Sequence, residues 1–137
     1  MKPTRFALTA VTALAVAAGS TTITTPAQAS TRPGVVIDYG YTTPVVKVRP
    51  KTIWPYKDVH YTKMRWSKLT STKGYATGTQ HINTCEPSCA DANYISTKVT
   101  MTFTRVRKTS THRKVFTRVR VTEIKTRKAW TLDLPLG

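Results

Sequence analysis

Between Val99 and Phe103, apolar side chains fall on every odd position and threonine on every even one. A β-strand turns successive side chains to opposite faces, so this period of two describes a strand with one buried face and one wet face. The pattern returns downstream. Val115, Val119 and Val121 occupy odd positions, with Arg118, Arg120 and Thr122 facing away, and Trp130-Thr131-Leu132-Asp133-Leu134 repeats it near the C-terminus. Phe116 and Ile124 fall on the polar side of their segment, so the alternation is imperfect there. Earlier, Tyr61–Trp66 mixes β-formers with polar residues and puts Met64 and Trp66 on one face. Gly74–Ile82 is interrupted by glycine, which marks a bulge or a close backbone approach.

No window of the chain beyond residue 30 shows an apolar stripe at i, i+3, i+4 and i+7, and Thr, Val and Tyr are its main β-formers while Leu and Ala are scarce. The class is therefore all-β: a single antiparallel β-sandwich or small barrel-like domain over residues 52–137. Its expected core is Val99, Met101, Phe103, Val115, Val119, Val121, Trp130 and Leu132. Residues 107–114 read as the loop of a hairpin between two well-patterned strands.

Residues 1–29 read as a secretory signal peptide. Lys2 and Arg5 are the positive start, Phe6–Ala18 is an uncharged Ala, Leu and Val run, and Ala27-Gln28-Ala29 suits cleavage. The run is shorter than the roughly 20 residues that span a bilayer. No later segment is apolar enough to span one, so the expected product is a secreted, extracellular protein beginning at Ser30. It has 108 of the 137 residues, enough for one domain. Such a domain buries only about two-thirds of its unfolded surface, so its stability margin is narrow. Pro33-Gly34, Gly40 and Pro44 break up residues 30–51, which read as a loosely ordered N-terminal arm able to add edge strands.

Cys85 and Cys89 are the only cysteines. In an exported chain an even count reads first as a disulfide. Redox pairs usually carry two intervening residues beside a βαβ pattern, and a zinc site would need two more ligands with suitable spacing. His60, His81 and His112 are scattered, so no metal set is expected. Ser67, Ser71 and Ser88 lie in no nucleophile-elbow motif, and no glycine-rich phosphate loop occurs. No catalytic or cofactor-binding residue is assigned and no cofactor is expected. An enzyme stays as an alternative because triads assemble from residues distant in sequence.

Charge is the strongest anomaly. Without Lys2 and Arg5 the chain keeps 20 Lys and Arg against six acids, a net +14. Between Lys98 and Lys128 eleven of these cations face Glu123 alone. Such a field draws anions, and Arg107, Lys108, Arg113, Lys114, Arg118 and Arg120 are the candidate anion-binding residues. The expected partner is an anionic cell-wall polymer or polysaccharide; the competing reading is a solvated surface that keeps a small protein soluble. Trp54, Tyr56, Tyr61, Trp66 and Tyr75 lie mostly outside the basic stretch, so specific nucleic-acid recognition is not expected. A further alternative is an inhibitor or protein-interaction module that inserts the stapled Cys85–Cys89 loop into a partner, since a pre-organised loop loses less entropy on binding.

Several short segments together carry a resemblance. They are Asp38-Tyr39-Gly40-Tyr41-Thr42-Thr43-Pro44, Trp66-Ser67, Ala76-Thr77-Gly78-Thr79, Asn83 with Cys85-Glu86-Pro87-Ser88-Cys89-Ala90, and Val115-Phe116-Thr117. With them the chain resembles a group of small exported actinobacterial proteins bearing an N-x-C-x-P-x-C-A segment. The resemblance implies export and a β fold and lends no activity or site residue.

Overall fold

Val99, Met101, Phe103, Val119 and Val121 all turn to one side of a single antiparallel sheet, and each is almost wholly buried. The computed structural model describes residues 32–38, 40, 43 and 45–136; the expected signal peptide lies outside them. Two short strands, β1 (Val35–Val36) and β2 (Val46–Lys47), pair with each other. A six-stranded meander follows in chain order: β3 (Ile53–Tyr56), β4 (Val59–Leu69), β5 (Gly74–Asn83), β6 (Tyr94–Lys108), β7 (Lys114–Glu123) and β8 (Ala129–Asp133). The expected all-β class is what the chain adopts, and the meander curls into a half-barrel. Its first and last strands meet where the Tyr56 hydroxyl donates to the Asp133 carbonyl.

The concave side holds the core. Tyr61, Met64 and Leu69 of β4, Ala76 of β5 and Phe116 of β7 join the odd-numbered residues of β6 and β7, with Ile53 and Leu134 from the ends. Trp130 and Leu132 pack against this cluster half-buried. Trp66 shares the concave side with Met64; its ring lies 4.7 Å from that of Phe103 and its indole donates to the Pro50 carbonyl. Tyr61 is fully buried and its hydroxyl accepts from the amide of Gln80 at 2.9 Å, itself only 2% exposed. Burial pushes the Tyr61 phenol well above its ordinary range, so it stays neutral.

Phe116 departs from the alternation for a local reason. Arg105, opposite on β6, has φ 55°, and its carbonyl accepts the Thr117 hydroxyl at 2.8 Å. Thr104 and Arg118 face outward on one side of this distortion, whereas Phe116 on the other side points inward at Phe103. Val115 is fully buried too, but outside the main cluster, beside Gly34.

The described residues of the expected arm are built into the fold. Gly34 bridges in parallel to Val115 of β7 and Asp38 bridges in parallel to Trp54 of β3, so residues 34–38 span from one strand to the other. Val35 and Val36 are 1% and 2% exposed. The Pro and Gly content reads as a loosely ordered arm; of these residues Gly34 permits a close approach to its neighbours, whereas nothing lies within 4 Å of a Cβ added at Gly40. A Cβ on Gly34 would lie 2.6 Å from Val46 Cγ1 and 2.7 Å from the Lys47 carbonyl oxygen.

Two bulges on β4 complete the curl. The register with β5 shifts between Thr62 and Arg65 and again between Trp66 and Lys68. Lys63 takes φ 51° at the first shift, opposite Gly78, where an added Cβ would meet the Thr62 carbonyl at 3.0 Å. Bulges increase local twist and bend the strand that carries them. The glycine-interrupted segment is thus a close approach facing a bulge on its neighbour.

Candidate functional site

The β6–β7 hairpin closes more tightly than a loop over 107–114. Lys108 and Lys114 still pair, leaving Thr109–Arg113 as the turn. Thr109 is 5% exposed and organises it: its backbone N–H donates to the Arg113 carbonyl at 2.8 Å, and its hydroxyl accepts from the Arg113 N–H at 3.1 Å. Arg107, Lys108, Arg113 and Lys114 are all exposed around this turn. They form one basic tip.

Arg118 and Arg120 sit elsewhere. They lie on the outer face of β7, opposite Thr104 and Thr102. Lys114 and Arg118, the nearest members along the strand, lie about 13 Å apart, beyond the Debye length of about 8 Å at physiological salt. The six candidate cations are therefore two groups rather than one. Arg118 is also paired, its Nε donating to Asp133 Oδ1 at 3.0 Å. Glu123 is the one acid between Lys98 and Lys128 in sequence, and pairing of β8 with β7 brings in Asp133 as well.

The outer face around Arg120 is a grid of hydroxyls and cations, because alternate residues of each strand share a face. In one row Arg65, Thr77, Thr100 and Thr122 stand side by side across β4 to β7. In the next, Lys68, Tyr75, Thr102 and Arg120 do so. A third row has Thr62, Thr79 and Lys98. Arg65, Lys68, Lys98 and Arg120 are exposed, as is Tyr75 at 36%.

At the far end of the same face, the histidines come together. His60 and His81 are register partners, and their rings stack at 4.5 Å. Trp54 stacks on the other side of His60 at 3.9 Å, and Tyr94 meets it edge-on at 5.0 Å. His81 is held between hydroxyls, Ser96 Oγ on Nδ1 at 2.8 Å and Thr62 Oγ1 on Nε2 at 2.9 Å. His60 Nδ1 is buried and has no hydrogen-bond partner among the described residues. Burial, then the neighbouring His81, holds the His60 imidazole below its ordinary value of 6.5. The Ser96–His81 contact has the reach of a nucleophile and base. It lies on an open sheet face, however, and a threonine hydroxyl stands where a triad carries a carboxylate.

Cys85 and Cys89 are joined in a disulfide. The staple sits in the β5–β6 loop, followed by a 3-10 turn at Cys89–Asp91. Asn83 anchors it, donating through Nδ2 to the Cys89 carbonyl at 2.8 Å and accepting the Cys85 N–H at 3.1 Å. Asp58 lies close enough to both cysteines for a shared ion, but two oxidised sulfurs offer no thiolate to bind one. Asp58, Glu86 and Asp91 gather at this end of the sheet, opposite to the basic tip.

Hairpin register hides the histidine stack from a sequence reader. Starting from the Leu69–Gly74 pair, an unbulged hairpin would place His81 opposite Thr62; each bulge on β4 shifts the partner by one, and the sum brings in His60. No helix among the described residues is long and apolar enough to cross a membrane. No protein-family model, curated protein or solved structure matches this chain.

Proposed function

We propose that this is a secreted binding protein that attaches to an anionic extracellular polymer, of the cell wall or similar, through the basic tip of the β6–β7 hairpin. One observation carries the reading. Arg107, Lys108, Arg113 and Lys114 are exposed on an ordered turn, while Asp58, Glu86 and Asp91 lie at the other end of the sheet. At that other end the exposed Lys57, Lys125, Arg127 and Lys128 offset those acids and Glu123. The net positive field is therefore concentrated at the tip, where it attracts a polyanion and orients its approach. The leader-like residues 1–29 and the disulfide support export.

Retention on wall fragments tests this. Replacing Arg107, Lys108, Arg113 and Lys114 by Gln lowers retention at physiological salt. The control replaces Lys57, Lys125, Arg127 and Lys128, which are equally exposed in the turns at the other end of the sheet. Equal loss in both variants would reduce the effect to net charge, and no retention of the wild type would end the proposal.

A second reading rests on the disulfide loop, where Glu86, Pro87 and Ser88 are exposed between anchored ends. A loop held in that way can enter a partner protein at low entropic cost. Binding that survives high salt and disappears on Cys85→Ser marks this mode. An enzymatic role stays as a third reading, resting on the Ser96–His81 contact, and turnover lost on Ser96→Ala would mark it.

A further inference from the structure

We propose that the outer face of β4 to β7 is a track for a single chain of an acidic polysaccharide, with Tyr75 as its sugar platform. The inference rests on the anion-binding reading and names the class of polymer.

The middle of this face is hydroxyl and its two sides are basic. Thr77 and Thr79 on β5 stand beside Thr100 and Lys98 on β6, and Thr100 in turn stands beside Thr122 on β7. Arg65 and Lys68 line the β4 side; Lys98 and Arg120 line the other. Neighbouring strands are about 4.8 Å apart, so the span from β4 to β7 is about 14 Å. That width takes one polymer chain with its substituents. Along each strand, outward positions recur about every 6.8 Å, and Arg65 and Lys68 occupy successive ones opposite Thr77 and Tyr75. The interval is comparable with the length of a sugar residue, so successive anionic sugars can meet successive cations.

Tyr75 decides between polymer classes. It is the one aromatic in the two central rows, flanked by Lys68 and Thr102 and 36% exposed. A tyrosine offers an apolar ring with a polar tip, which suits the C–H face of a sugar whose hydroxyls reach adjacent threonines. Polyphosphate has neither an apolar face nor hydroxyl donors along its chain and gains nothing from the ring. Single-stranded nucleic acid stacks successive bases on a series of aromatics. Between the basic sides these rows supply one, and Trp54, His60 and His81 at the far end of the face stack on one another rather than standing free for bases.

The test compares the affinity of the secreted protein for a polyuronate, a long-chain polyphosphate and single-stranded DNA at one ionic strength. Variants are Tyr75→Ser, Tyr75→Phe, and Thr77→Val combined with Thr100→Val, each checked for an unchanged circular dichroism spectrum. Tyr75→Ser should weaken polyuronate binding by about tenfold, the size of one lost stacking contact. Tyr75→Phe should restore it, the double valine variant should weaken it, and polyphosphate binding should stay unchanged throughout. If Tyr75→Ser affects all three probes equally, or none, the track is refuted and the hairpin tip stands alone. Tyr75-dependent binding that is tightest to DNA would also overturn it, in favour of a nucleic-acid surface. If the wild type binds no polyanion at physiological salt, the track and the anion-binding function fail together.

Discussion

His60 and His81, 21 positions apart in sequence, stack face to face at 4.5 Å with their planes within 10°. The pair links the protein's stability to pH. His60 has a buried nitrogen without a partner among the described residues and a pKa held below 6.5, chiefly by burial and then by His81. Its neutral form is favoured in the fold, so the unfolded chain binds the proton more readily. Stability from this site is present above about pH 6.5 and is lost as the pH falls toward the lowered value in the fold. The thermal midpoint should drop between pH 7 and pH 5, and His60→Phe, which keeps the stack, should flatten that dependence. An equal drop in the variant would place the sensitivity elsewhere.

The Tyr61–Gln80 hydrogen bond lies within an otherwise apolar core. Gln80→Leu leaves the Tyr61 hydroxyl without its donor, and a buried polar group so stranded costs about 1–3 kcal/mol. Urea unfolding should show a lower midpoint at an unchanged slope. Adding Tyr61→Phe should recover part of the loss, because the stranded hydroxyl is then gone.

Gly34 sits where residues 34–38 join β7, with its backbone bonded to Lys114 and Phe116. Gly34→Ala puts a methyl group into the space of Val46 and the Lys47 carbonyl. Overpacking of this kind costs about 1–3 kcal/mol. The expected readout is faster proteolysis before Ile53 together with a lower thermal midpoint. Unchanged digestion would show that the arm can shift without loss.

The Cys85–Cys89 staple closes a short loop, and removing it should cost about 2 kcal/mol on the chain-entropy account. Replacing both cysteines by serine should lower the unfolding midpoint and leave the sheet's circular dichroism intact, since Asn83 still anchors the loop. Mass spectrometry of the unreduced protein should find no free thiol. A disulfide-linked dimer would contradict the pairing.

What the sequence determined by itself was local: the period of two from Val99 to Phe103 and again through Val119 and Val121. Side-chain alternation is a property of one extended strand, so strand type and core side could be read without knowing any partner. The Cys85–Cys89 staple was likewise within reach because a short loop involves few residues, whereas its anchoring by Asn83 was not. Tertiary structure decided everything that depends on pairing. Two extra residues on β4 put His60 instead of Thr62 opposite His81, and β8 carried Asp133 to Arg118. The distortion at Arg105 turned Phe116 into the core, and residues 34–38 became part of the barrel wall. A bulge has no strong sequence mark outside glycine, yet it shifts every pair beyond it by one. The rows of Thr77, Thr100 and Thr122 therefore exist only once the register is known, and the candidate binding face with them.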